Sequence, residues 1–197
     1  GWRMDVRNKD VIKNSLGQSH EYIEKAVKPG DTVVDATAGN GNDTVFLAKL
    51  VGDTGKVYSF DIQEQAILNT GKKLKEAGLS ERVVLIKDGH ENLDLFVKEK
   101  VKAVMFNLGY LPGGDHSIGT VADTTITAVK KALDLIQVNG IVIIVVYYGG
   151  DSGFEEKEAV MEFIKSIEFR KFNVMKTEFV NQPNCPPILV CIEKLFD

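Results

Sequence analysis

Cysteine is almost missing from this sequence: there are two in 197 residues, Cys185 and Cys191, without C-x-x-C spacing and without clustered histidines beside them. That scarcity excludes a disulfide framework and a cysteine-built metal centre, and it points to a reduced, cytoplasmic setting without a metal. Long apolar runs are missing too. None reaches the roughly 18 residues that cross a bilayer, and the first residues form no signal-peptide core, so a soluble intracellular protein is expected. Basic charge is not in excess, with 24 Lys and Arg against 28 Asp and Glu and a net charge of -4. A protein that coats nucleic acid by charge alone is thereby excluded, and RNA recognition would need a local patch. Arg3 to Lys13, Lys72-Lys73-x-Lys75 and Arg170-Lys171 are basic stretches that read as solvated faces. Repeats, low-complexity tracts and linkers are also lacking, so residues 1–197 are expected to form a single domain, with 1–28 as an N-terminal helical segment.

What the sequence does have is a regular alternation of short β-rich runs with longer amphipathic ones, which predicts an α/β fold with a mostly parallel sheet. The opening helix is expected over about residues 8–27, weakened by Gly17 and broken by Pro29-Gly30. Strands are expected at 32–36, 56–61, 83–87, 103–107 and 141–148, with helices at about 43–50, 63–77, 91–97, 120–137 and 155–167. The sixth and seventh strands, about 169–180 and 188–193, have only NQPNCPP at their junction. Such a short connection makes them antiparallel, because a parallel crossover needs about a dozen residues or more. Asn139-Gly140 reads as the stop of the fifth long helix.

Chemistry concentrates at the strand ends. Asp35-Ala-Thr-Ala-Gly39-Asn40-Gly41-Asn42-Asp43-Thr44 joins the first strand to the first helix of the alternation, where a doubly wound fold binds its ligand. Gly39 and Gly41 allow close backbone approach, and the helix that follows offers unpaired N–H groups. Asp61 closes the second strand 20 residues beyond Gly41, placed to accept ribose hydroxyls. Thr44 stands where the dinucleotide fingerprint needs glycine, and no Walker sequence occurs. An aspartate at position 35 would repel a pyrophosphate and favour a cationic group. S-adenosyl-L-methionine carries an ammonium and a sulfonium. Asp61 and Asp88 are also suited merely to cap the helices that follow them.

DATAGNG resembles the first motif of the class I S-adenosylmethionine-dependent methyltransferases, D/E-x-G-x-G-x-G, with Thr37 in place of the first glycine. The resemblance implies their Rossmann-like fold, a mostly parallel seven-stranded sheet with a reversed last strand and helices on both faces. It further implies that Asp35 and Gly39-Asn40-Gly41 hold the methionine part, Asp61 the ribose and Asp88 the adenine amino group. Asn42, Asp43, Gln63, Gly89 and His90 are close enough in sequence to line the same pocket.

The fourth strand ends in Asn107-Leu108-Gly109-Tyr110, similar to the D/N-P-P-Y/F pattern of methyltransferases that act on amine or amide nitrogen. A nitrogen attacks a methyl carbon through its lone pair, so acceptors must take its N–H groups and aim that pair. The Asn107 side chain and the Leu108 carbonyl are candidate acceptors, Gly109 lets the backbone turn, and Tyr110 offers a face for a base. The segment continues through Pro-Gly-Gly to Asp115 and His116. His116 is a candidate base, and Asp115 is a candidate to orient it or to bind a substrate cation; plain strand termination and a solvated loop are the bland alternatives. Tyr147 and Tyr148, at the end of the fifth strand, are candidates for substrate contact or for packing.

DATAGNGNDT, FNLGYLPGGD and NQPNCPPILVCIEK, in that order, resemble the family labelled "putative rRNA methylase" from about Asn8 to the end. Its characterised members methylate the 5-aminomethyl group of wobble 2-thiouridine in tRNA. The resemblance implies the same substrate here. Alternatives are an rRNA base, a small-molecule amine, or a non-catalytic S-adenosylmethionine-binding module. Whether the chain forms a homo-oligomer is left open.

Overall fold

A computed structural model describes residues 10–109, 121–149 and 153–197. The opening helix α1 runs Ser15–Ala26, later than the pattern suggested. Asn14 caps it, its side chain accepting the Gly17 N–H at 2.8 Å, so Gly17 lies in the first turn and does not weaken a helix interior. Five β/α alternations follow: β1 Thr32–Asp35, α2 Asn42–Val51, β2 Lys56–Asp61, α3 Glu64–Ala77, β3 Val83–Lys87, α4 Leu93–Phe96, β4 Val101–Leu108, α5 Val121–Leu135, β5 Ile136–Val146 and α6 Gly153–Lys165. The chain ends with β6 Phe172–Thr177 and β7 Ile188–Lys194.

The seven strands form one sheet in the order β3-β2-β1-β4-β5-β7-β6. β7 alone runs against its neighbours, antiparallel to both β5 and β6, as the short connection required. Period-two alternation divides the side chains between two faces. Val33, Ala103, Met105, Ile143, Val145 and Leu189 pack with residues of α1, α2 and α3. Val34, Val104, Phe106, Ile144, Val146 and Val190 pack with residues of α5 and α6. The inner strands are therefore apolar on both sides, as buried parallel strands must be.

Asn139-Gly140 does not stop α5. The helix ends at Leu135, where the buried Lys194 ammonium donates to the carbonyls of Leu133 and Ile136, each at 3.0 Å. A cation on the last carbonyls does the work of a C-terminal glycine. Asn139, at φ 67°, and Gly140 lie instead inside β5, where the register against β4 shifts between Val101 and Ala103. A β-carbon at Gly140 would stand 2.7 Å from the Gln137 carbonyl oxygen and 2.8 Å from that of Lys102, so the backbones meet there without room for a side chain.

Candidate active site

The strand order reverses between β1 and β4, and the crevice beyond their carboxyl ends is where open α/β sheets bind ligands. Past Asp35 the Ala36 N–H still donates to Met105, at 2.8 Å, and then the strands separate. The Thr37 N–H turns back to Asp35 Oδ1 at 3.0 Å, while the Thr37 hydroxyl accepts the Asn107 N–H at 2.8 Å. The residue that departs from the glycine pattern thus satisfies a backbone donor of the neighbouring strand.

Asp35 is fully buried. Its Oδ2 accepts the Thr44 hydroxyl at 2.6 Å, and that hydroxyl lies 2.7 Å from the Ser59 hydroxyl. Burial first, and the charge of Asp43 second, push the Asp35 carboxyl up to about 7, against the opposing bonds from Thr44 and Thr37. Asp35 therefore holds the turn from beneath and presents no oxygen to solvent. A carboxyl held above its ordinary 3.8 binds a proton that the unfolded chain has released. Its stabilising effect is complete below about pH 4 and is lost as pH rises through about 7. The melting temperature of the cofactor-free protein is expected to fall from about pH 5.5 to about pH 8, and Asp35→Asn is expected to flatten that slope. An unchanged slope in the variant would contradict this account.

Asp61 joins two loops: its Oδ2 accepts the Gly39 N–H at 3.0 Å and its Oδ1 the Gln63 N–H at 2.9 Å. Each oxygen keeps lone-pair capacity for a hydroxyl donor. Asp88 uses Oδ1 to accept the Gly89 N–H at 2.7 Å and the Asn92 amide at 2.9 Å. His90 sits beneath the β1 end, with Nδ1 3.2 Å from the Ala36 carbonyl and its ring edge-on to Phe106 at 5.3 Å. Burial lowers its pKa, and its visible role is to brace β1. Asn40 is exposed, and its side chain accepts the Asn42 N–H at 3.3 Å. Asn42 does not join the cluster: its side chain turns to Lys73 of α3, at 2.8 Å.

Asp43, in the first turn of α2, is 8% exposed and touches two elements at once. Its Oδ1 lies 2.9 Å from His20 Nε2 on α1, and its Oδ2 accepts from Asn107 Nδ2 at 3.4 Å. The position of Asn107 follows from strand alternation: it continues the face of Ala103 and Met105, toward α1 and α2, whereas Leu108 turns to the opposite side and packs on the α5/α6 core. The same rule separates the two tyrosines beyond β5. Tyr147 shares the face of Val145, and a β-carbon at Gly109 would lie 3.3 Å from its ring. Burial, and then the Asp43 charge, raise its hydroxyl pKa. Tyr148 packs on the other core, with Lys157 Nζ 4.8 Å from its ring centre. Tyr147 is thus the tyrosine whose ring stands against Gly109. Tyr110, Asp115 and His116 lie outside the described residues. Tyr147 was expected at this strand end together with Tyr148, whereas His20, bound to Asp43, is a residue that sequence reasoning did not single out.

Acidic side chains closing β1, β2 and β3, a glycine turn into α2 and an asparagine at the end of β4, on a sheet with one reversed strand, define a class I methyltransferase. The chain belongs to the family described as "Putative rRNA methylase", whose model matches residues 57–193. It is 38% identical over 192 residues to the Arabidopsis thaliana protein named tRNA (mnm(5)s(2)U34)-methyltransferase, chloroplastic, covering 92% of this chain and 70% of that protein. A solved structure described as "putative rRNA-methylase" from Clostridium thermocellum is 63% identical, with a TM-score of 0.91, and the match covers 94% of this chain and 100% of that one. A protein described as "a putative methyltransferase" from Streptococcus mutans, solved in complex with SAH, is 43% identical with a TM-score of 0.86, covering 94% and 100% respectively. No helix among the described residues is long and apolar enough to cross a membrane, and no group of side chains among them could hold a metal ion.

Proposed function

We propose that the protein methylates the 5-aminomethyl group of wobble 2-thiouridine in tRNA, with S-adenosyl-L-methionine as methyl donor. The observation that carries this reading is Asn107: its amide nitrogen faces the Asp43 carboxylate, which leaves its carbonyl oxygen to accept an N–H from an incoming amine. The S. mutans relative solved with SAH and the A. thaliana relative named for the wobble uridine support the cofactor and the substrate.

The donor set fits the cofactor. S-adenosylmethionine, when bound, supplies an electrophilic methyl on a sulfonium. Asp61 is suited to accept ribose hydroxyls, Asp88 an adenine amino group, and the negative charge of Asp43 favours a cationic neighbour. Asn107 and the Leu108 carbonyl would take the two N–H groups of a neutral amine and aim its lone pair, and Tyr147 would wall the same side. Most of the rate enhancement on this reading comes from orientation.

Purified protein should transfer labelled methyl from S-adenosylmethionine to tRNA bearing 5-aminomethyl-2-thiouridine. Transfer to ribosomal RNA, with none to this tRNA, would favour the reading that the family description suggests.

A further inference from the structure

The opening helix contributes a histidine to the substrate end of the sheet. We infer that His20 and Asp43 are positioning residues that fix the Asn107 amide in its working orientation, an inference that rests on the proposed role of Asn107.

Chemistry alone fixes which way Asn107 faces. A carboxylate only accepts hydrogen bonds, so the atom 3.4 Å from Asp43 Oδ2 must be the amide NH₂ group; a flipped amide would set lone pair against lone pair. The Asn107 oxygen is therefore directed away from Asp43. The same logic gives His20 a proton on Nε2, because that atom lies 2.9 Å from Asp43 Oδ1. With its two oxygens held by different elements, the Asp43 carboxylate cannot rotate freely toward either one.

His20 is itself held. Its ring lies flat on Phe46 of α2, with centroids 3.8 Å apart and planes 8° from parallel. Its side chain is 28% exposed against 9% for Asp43, so the chain of contacts leads from the surface helix inward to β4. Asp35 and Tyr147 are the other titratable groups that feel Asp43; neither is hydrogen-bonded to it among the described residues. Three elements from separate parts of the chain, the helices α1 and α2 and the strand β4, are thus tied at one carboxylate. Placement of α1 then bears on the rate of methyl transfer, although α1 supplies no atom to the reaction.

Two replacements separate the hydrogen bond from the stack. His20→Gln keeps an N–H donor and loses the ring; His20→Phe keeps a ring on Phe46 and loses the donor. With 5-aminomethyl-2-thiouridine tRNA, His20→Phe is expected to lower kcat by about tenfold to a hundredfold, as a mis-aimed group would, with the KM for tRNA and the Kd for S-adenosylmethionine within about twofold. His20→Gln is expected to stay within about threefold of wild type. A His20→Phe enzyme at the wild-type rate, or a His20→Gln enzyme as impaired as His20→Phe, would overturn the inference. A second readout needs no substrate: the Asn107 side-chain NH₂ resonances, identified by their loss in Asn107→Ala, should move in His20→Phe and hold in His20→Gln. Wild-type protein inactive on the tRNA would defeat the substrate reading, while the resonances would still decide the positioning role.

Discussion

Asn107→Ala is expected to lower methyl transfer by about two to three orders of magnitude, the scale seen when a single oriented polar group is removed from a reacting centre. Calorimetry should at the same time find the affinity for S-adenosylmethionine within about twofold of wild type. The separation follows from where the residue is anchored. Its backbone N–H is taken by the Thr37 hydroxyl and it pairs in register with Val145, so truncating the side chain leaves β4 and the cofactor turns in place. Equal loss of transfer and of cofactor affinity would show that Asn107 serves the cofactor pocket instead. The geometry also explains why an asparagine stands where the wider pattern allows aspartate. A carboxylate at position 107 would face Asp43 Oδ2 at about the 3.4 Å that now separates it from an NH₂ group, and two like charges in a half-buried crevice repel strongly.

The second large effect is expected at Gly41. Its φ is +92°, and a β-carbon there would lie 2.9 Å from the Thr70 backbone Cα and 3.0 Å from its hydroxyl oxygen. Left-handed backbone costs a non-glycine residue roughly 1–2 kcal/mol, and here the obstacle is backbone of α3, which cannot swing aside like a side-chain tip. Gly41→Ala is therefore expected to destabilise by about 3 kcal/mol, a fall of roughly 6–12 °C in melting temperature for a chain of this size. Cofactor affinity should fall with it, since the Gly41 carbonyl accepts the Val45 N–H and begins α2. A variant that melts within about 2 °C of wild type would mean that the turn relaxes at little cost, and the close packing of α3 on it would lose its significance.

The parts of the fold written in local pattern were legible. β2 and β3 have the ends that their apolar runs suggested, and the loop too short for a parallel crossover did force β7 to run antiparallel. The errors came where a distant residue decides. Lys194 closes α5 from 61 and 58 residues away, so a glycine-based stop rule placed the helix end wrongly and hid the first residues of β5. The site divides in the same manner. Spacing along the chain brought Asp35, Gly39, Asp61 and Asp88 to the strand ends, because strand ends in this topology are adjacent. It could not tell Tyr147 from Tyr148, since β5 is apolar on both faces and its pattern does not mark which face each residue beyond it takes. Nor could it give Asn42 its outward turn to Lys73. His20 was invisible for a further reason: its partner lies 23 residues away on another helix, and a histidine in an amphipathic segment looks like any other polar position.

The central claim is that Asn107 aims an amine on a tRNA wobble base at a methyl group. The most direct test is nucleoside mass spectrometry of tRNA from cells lacking this protein, complemented with either wild type or Asn107→Ala. The account predicts accumulated 5-aminomethyl-2-thiouridine in the deletion, conversion to the 5-methylaminomethyl form by wild type, and none by the variant. A tRNA profile unchanged by the deletion, or full conversion by Asn107→Ala, would contradict it.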